Sequence, residues 1–436
     1  MTDRPVAFDL TRLITRLRHA SPSGIDRVDL AYARWALAGA GPRFGLVTTA
    51  LGARVVDRGR AARIVDAVAA GWVEDIEAEA DPVYRRLAAR LGSGTAEPAP
   101  RRAAEGGEGS RRRIQIETVL STLRAEGPAA LPDGTLYLHT SHLRLDRPER
   151  FDWLYDRPDI RPVFFLHDLI PITHPEYGRP GEAERHRQRM ETVARHAAHI
   201  VVNSADVGAQ VARHIAECGL PVPGITVGHL GIEPAFRPDG PRIDLDRPTF
   251  LVCGTIEPRK NHLLLLHLWR SLSQELGAGA PRLVLVGRRG WEAENIVDLL
   301  DRCAAIRDSV VEVSGLSTHG LAALMRSATA LLMPSFTEGY GLPVVEAATS
   351  GLPVVASDIP VHREVGGPFA AFLDPLDGPG WRRAVAELSE PGSRRRSELS
   401  AGLSGYAPPT WAGHFRRVEA ALGTLRRRGP SCAGDG

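Results

Sequence analysis

Lysine is almost missing from this chain. Of 54 Lys and Arg residues, one, Lys260, is a lysine. A compact ammonium differs chemically from the guanidinium fork, so its position draws attention. Cysteine is scarce as well. Cys218, Cys253, Cys303 and Cys432 lie far apart and form no C-x-x-C pair. That argues against a disulfide or zinc framework and for reduced thiols in a cytosolic protein. Neither charge sign dominates: 54 basic against 52 acidic residues leave a net charge of +2. No global field therefore draws the chain to nucleic acid or to an anionic membrane. No apolar run is long enough to span a bilayer, and Met1-Thr2-Asp3-Arg4-Pro5, leading into VAFDL, shows no secretory leader. A cytoplasmic protein is expected, one that meets any lipid-linked substrate from the inner face of the membrane as a peripheral contact. Neither half carries G-x-G-x-x-G after its first strand, which excludes a nicotinamide dehydrogenase.

What is present fits two domains. A chain of 436 residues exceeds one ordinary core and suits two units of about 200 residues. With 43% hydrophobic and 24% charged residues, its profile is soluble and globular. Eleven short apolar runs alternate with helical patterns. VAFDL, FGLVTTA, TLYLHT, PVFFLHDLIPI and HIVVNSA lie in the first half. TFLVCGT, RLVLVG, VVEVSG, ALLMPS, PVVASD and AAFLD lie in the second. Val- and Leu-rich strands spaced by helices predict parallel sheets covered on both faces, in two doubly wound domains. The Pro-, Gly- and charge-rich FRPDGPRIDLDRP at 236–248 marks the boundary. The expected units are an N-terminal domain over 1–236, a C-terminal domain over 237–408, and a last helix with a disordered tail over 409–436. Thr410 caps that helix, with Trp411, Phe415, Val418, Leu422 and Leu425 at helical spacing. Residues 94–113, nearly free of large apolar side chains, read as a mobile insertion, with a basic membrane-contact patch as the functional alternative.

The strongest motif is PSFTEGYGLPVVEAATSGLPVVASD, residues 334–358. Glu338 sits in a loop after a strand. Gly339, Gly341 and Pro343 make a tight turn, and a helix is expected to begin near Val344 with Glu346 in its first turn. Ligands of open α/β sheets bind at that strand edge. The free N–H groups of a helix start suit a diphosphate, while carboxylates suit sugar hydroxyls, which donate hydrogen bonds. The second motif is FLVCGTIEPRKNHLLLLHLW, residues 250–269. A strand ends in Gly254, a loop carries Arg259 and Lys260, and a helix starts near Asn261. Fixed cations there can meet negative charge that grows on a departing diphosphate.

Together these strings resemble the E-x7-E and G-x-x-x-P-R-K-N elements of the large retaining glycosyltransferase family 4, which includes many bacterial mannosyl- and glucosyltransferases. The resemblance is close over about 250–378 and holds in outline before that. It implies a GT-B fold: two facing Rossmann-like domains, an interdomain cleft and a C-terminal crossover helix. It implies transfer from a nucleoside diphosphate sugar (GDP-, UDP- or dTDP-linked) to a saccharide or lipid-linked acceptor in cell-surface polysaccharide synthesis. No cofactor and no metal are implied, since no D-x-D stands where the family would need one, and nucleic acid is not expected as a partner. By the same resemblance, Glu338 faces the transferred sugar, Glu346 holds the ribose, and amides around Gly341 and Leu342 contact the diphosphate, with Arg259, Lys260 and Gly254 beside it. Gly287, Leu316 and Ser317 frame the base. In the N-terminal half Gly24 is a donor-loop glycine or a plain turn glycine, and His167 of FFLHDLIPITHPEYG lies near the sugar. Asn203 and Ser204 are cleft or capping residues in equal measure. The chain departs from many relatives at Thr255, where they have arginine, and at Ser23-Gly24, where they have two glycines. The rival readings are a sugar-phosphate synthase or epimerase on the same fold, and a non-catalytic sugar-binding scaffold.

Overall fold

The structure is a computed structural model and describes residues 4–17, 22–50, 52–72, 76–92 and 125–425. The insertion expected over 94–113, Cys432 and the expected tail lie outside these residues. Two sheets organise the rest. The first has seven strands in the order β3-β2-β1-β4-β5-β6-β7: β1 Val6–Asp9, β2 Arg43–Thr49, β3 Gly52–Asp57, β4 Leu136–His139, β5 Arg161–Leu166, β6 His199–Val202 and β7 Gly224–Val227. All its pairings are parallel except β2 with β3. The second has six parallel strands in the order β10-β9-β8-β11-β12-β13: β8 Thr249–Cys253, β9 Arg282–Val286, β10 Val310–Val313, β11 Ala330–Met333, β12 Val354–Ser357 and β13 Ala370–Leu373. Fully buried strands such as β8 and β11 are the continuous apolar runs that a sheet covered on both faces demands.

Eleven of these strands coincide with the apolar runs in the sequence. The other two, β3 and β7, are edge strands. GARVVD is half of a hairpin, with glycine at φ +97° in Gly52, and GITV is at most half-buried along its length. Both are only partly buried, and neither shows a continuous apolar run.

The domains share a core. One apolar cluster runs from Phe8, Val28 and Tyr32 through Leu251, Val284 and Val344 to Val418 and Leu422. Separate clusters cover the outer face of each sheet. The last helix, Trp411–Thr424, is capped by Thr410, whose Oγ1 accepts from Gly413 N–H at 3.1 Å. It crosses back onto the N-terminal domain. His414 Nε2 lies 2.7 Å from the Tyr32 hydroxyl, and Phe415 stacks on Trp35 at 4.7 Å. Polar contacts add to the junction. Glu364 of the helix Pro360–Gly366 accepts from Ala205 N–H at 2.8 Å, at the head of the helix Ala205–Glu217, and pairs with His229 at 2.8 Å. Ser204 donates to Gly339 O at 2.9 Å.

Candidate active site

The cleft between the sheets is a cavity of about 460 Å³. Its C-terminal wall is built from the loops after β8, β9, β10 and β11, at the carboxyl ends of parallel strands, where such folds bind ligands.

The loop after β8 turns at Gly254, φ +136°. A Cβ there would come within 3.0 Å of Lys260 Cε, so the glycine lets the Lys260 stem lie across the loop. Pro258–Lys260 forms one tight turn, and Asn261 takes a left-handed conformation, φ 54°, that starts the helix His262–Leu276. The Asn261 side chain donates to Pro334 O and Pro375 O at 3.2 and 2.9 Å. It ties this loop to the ones after β11 and β13.

The loop after β11 delivers Glu338, 7% exposed. Its Oε1 accepts from Lys260 Nζ at 2.5 Å and from Ser335 Oγ at 2.8 Å, and its Oε2 accepts from Arg259 Nη1 at 2.7 Å. Burial alone would raise the pKa of this carboxyl. Arg259 and Lys260 overcome that and hold Glu338 far below the usual carboxylate range. Burial would also weaken the charge on Arg259, but Glu338 and Glu257 raise its pKa instead. Lys260, buried more deeply, is lowered by burial despite Glu338. Glu257, 2.5 Å from Arg259 Nε, is raised by burial. Two cations and two carboxylates thus form one interlocked set.

The helix after this loop is Leu342–Thr349, two residues earlier than expected, because proline is tolerated in a first helical turn. Glu346 is therefore its fifth residue and lies beyond the first turn. Gly341, at φ +81°, precedes it. Val344 N–H returns to Gly341 O, and Pro343 has no N–H. The amides of Gly341 and Leu342 head the cleft as the helix's unclaimed donors.

Glu346 is not left open to solvent. Its Oε1 accepts from Arg27 Nη1 at 2.9 Å, across the cleft from the N-terminal domain. Sequence reasoning missed Arg27, which reads as one more cation on a helix face. Gly24 lines the cleft as the first residue of the helix Gly24–Ala38, which Ser23 and Asp26 cap reciprocally. A Cβ at Gly24 would meet nothing within 4 Å, so the fold does not demand glycine there.

His167 follows β5 and is 5% exposed. Its Nε2 lies 2.8 Å from Thr140 O. A carbonyl only accepts, so Nε2 carries the proton and Nδ1 is left as an acceptor in the neutral ring. Burial pushes its pKa down to about 4, which keeps the ring neutral at pH 7. Its carbonyl accepts from Asn203 Nδ2 at 3.0 Å, and Asn203 also lines the cleft. Ser204 instead caps the helix Ala205–Glu217. Gly339 brings the two walls together, since a Cβ there would lie 2.4 Å from His167 O.

The three residues expected to frame a base separate. Gly287 and Leu316 line the cleft. Ser317 does not: it is fully buried, caps the helix Thr318–Ser327, and donates its N–H to Asp81 at 2.7 Å. Its hydroxyl is consumed by the cap, which sequence spacing alone could not reveal. Thr255 lines the cleft without a charge, and Arg288, also missed, lines it as an exposed cation with no ion pair among the described residues. No cluster of His, Cys, Asp and Glu able to hold a metal is found among the described residues.

Comparison with known proteins bears on the C-terminal wall of this cleft. Residues 236–390 match the description "Glycosyl transferases group 1". The chain carries a glycosyl transferases group 1 domain. The serotype-specific mannosyltransferase WbdA of Escherichia coli is 30% identical over 253 residues, 54% of this chain and 31% of that one. The chain thus spans about a third of the length of the WbdA proteins it matches. The O-antigen chain mannosyltransferase B of E. coli is 27% identical over 277 residues, 60% of this chain and 71% of that one. The fold is GT-B. A sucrose-phosphate synthase from Thermosynechococcus elongatus superposes with a TM-score of 0.61 at 16% identity, over 97% of this chain and 99% of that one. The group 1 domain contains β8–β13 and with them Arg259, Lys260, Glu338 and Glu346. Among the described residues, no helix is long and apolar enough to cross a membrane.

Proposed function

We propose that the protein is a retaining glycosyltransferase that moves a sugar from a nucleoside diphosphate sugar to a saccharide or lipid-linked acceptor, in O-antigen or related polysaccharide synthesis. The observation that carries this reading is the clamp of Arg259 and Lys260 on Glu338, beside the amides of Gly341 and Leu342 in a group 1 domain. The diphosphate sits against those amides and cations. The acceptor hydroxyl attacks the anomeric carbon from the face that the diphosphate leaves. The bond from that carbon to the phosphate oxygen breaks, and the departing oxygen takes the acceptor's proton. Arg259 and Lys260 meet the charge that grows on the leaving group, and being fixed in advance they need little reorganisation. Glu338 holds both cations in place and offers its lone pairs to sugar hydroxyls. Arg288 supplies a further cation at the base-side rim, where Thr255 brings none. Neutral His167 accepts from a sugar or acceptor hydroxyl through Nδ1. Glu346, once released by Arg27 or shared with it, takes the ribose hydroxyls. The mannosyltransferase relatives make mannose the first sugar to try, and the protein works without a metal, at or near the inner membrane face.

The deciding experiment combines two measurements. A thermal-shift screen against UDP, GDP, dTDP and ADP and their sugars is expected to single out one diphosphate, by mass action on the folded state. Proton NMR of the product is expected to show the anomeric configuration of the donor retained. An altered sugar nucleotide formed without acceptor would replace this reading by an epimerase, and no binding to any sugar nucleotide would sink it.

A further inference from the structure

A second cavity, of about 640 Å³, opens on the other side of Arg27 from the reaction cleft. One wall is a single stripe of the helix Gly24–Ala38: Arg27, Leu30, Ala31, Arg34, Trp35 and Ala38. This is helical spacing, so one face of the helix looks into the cavity over the twelve residues from Arg27 to Ala38, about 16 Å at 1.5 Å rise per residue. Arg27 heads the stripe and also lines the cleft, so the two cavities adjoin at this residue.

The lining is unusual for this chain. Three of its seven tryptophans, Trp35, Trp72 and Trp411, border the cavity with Phe415. Phe415 stacks on Trp35 at 4.7 Å and on Trp411 at 5.6 Å, so the three rings form one aromatic stack at the cavity. Two lining residues have buried polar atoms with no hydrogen-bond partner among the described residues, Trp72 Nε1 and Thr318 Oγ1; the two residues are 7% and 5% exposed. Such groups are costly to bury unpaired. Arg34 is exposed on the stripe and has no ion pair among the described residues.

We propose that this groove binds the extended part of a saccharide acceptor while the acceptor's reacting end lies in the cleft. Pyranose rings present apolar C–H faces and a rim of hydroxyls. The aromatic stack and the Trp72 indole suit the first, and the unpaired indole N–H, the threonine hydroxyl and the Arg34 fork suit the second. A plain apolar partner would leave those polar groups unpaired. Naming a saccharide as the occupant rests on the glycosyltransferase reading, whereas the groove itself does not.

The test measures binding without turnover. Isothermal titration is run with α-linked manno-, gluco- and galactotetraose on the full chain, on Arg34→Ala, which removes an exposed cation, and on Ala31→Trp, which fills the groove. The expected result is that at least one tetraose binds and that each substitution weakens it tenfold or more. The melting shift caused by a nucleoside diphosphate should stay unchanged in both variants. The proposal is overturned if no tetraose binds, or if a tetraose binds equally well to all three proteins. Loss of the diphosphate shift in the unmodified chain would instead strike at the donor site, and the two failures are thereby told apart.

Discussion

In the C-terminal half of the cleft, Arg259, Lys260 and Glu338 come from two loops at one sheet edge and bond to one another. In the N-terminal half, Arg27, His167 and Asn203 come from three separate segments, and each is held by a different partner: Glu346 across the cleft, Thr140 O and His167 O. The first half is a charge cluster that holds itself together, because its two loops both start from a central parallel strand. The second takes its shape from the junction between domains. On the proposed reading, chemistry that must be fixed in advance sits in the first. On the same reading, adjustment to an acceptor sits in the second, whose groove side carries the aromatic stack.

The sharpest way to break this contrast is at the clamp. Lys260→Ala removes one of two cations on Glu338, and turnover is predicted to fall by about 10²–10³, the usual effect of losing a preorganised electrostatic group. Circular dichroism should still show a folded chain. Activity near that of the unmodified protein would mean that the cluster is structural only.

Next comes the contact between the halves. In Gly339→Ala the new Cβ would lie 2.4 Å from His167 O, and one wall must shift. The expected cost is roughly 1–3 kcal/mol in urea unfolding, with donor binding weakened in parallel. An unchanged midpoint would show that the walls can separate freely. A smaller effect is predicted for Arg27→Ala, which takes the guanidinium from Glu346. The donor KM should change by about tenfold, some 1.4 kcal/mol, with kcat altered little. A large fall in kcat with constant KM would put Arg27 in the chemical step instead.

The smallest effect concerns the crossover helix. Burial pushes His414 down to about 4, against about 6.5 for an unperturbed histidine. The unfolded chain therefore takes up the proton first as pH falls. The contribution of His414 is fully present above pH 6.5 and is lost as pH falls towards 4. His414→Gln should flatten the pH dependence of the urea midpoint in that window and leave its slope above pH 7 unchanged. An identical profile in both proteins would remove His414 from the account.

Much of the C-terminal half of the cleft is legible in the sequence because its parts are local. The strand, Gly254, Arg259 and Lys260 occupy one short stretch, and Glu338, Gly341 and Glu346 another. Glycine, proline and charge at fixed offsets dictate the turns there. The helix start was misplaced by two residues because Pro343 reads as a stop when it is a permitted first-turn residue. Ser317 reads as a loop residue, and only its hydrogen bonds show that capping uses it up. Arg27, Arg288 and Glu257 gave no signal, since a lone cation or acid on a surface pattern is most often solvated.

What the sequence determined by itself is therefore the alternation of strand and helix, the two-domain division, and the residues of the loops after β8 and β11. These follow from periodicity and turn chemistry within a few residues of chain. Tertiary structure decided which carboxylate meets which cation, that Glu346 is paired across the cleft, and that three tryptophans from distant segments line one groove. Such pairings join positions up to several hundred residues apart, and their energies depend on burial and distance, which exist only once the two sheets are brought face to face.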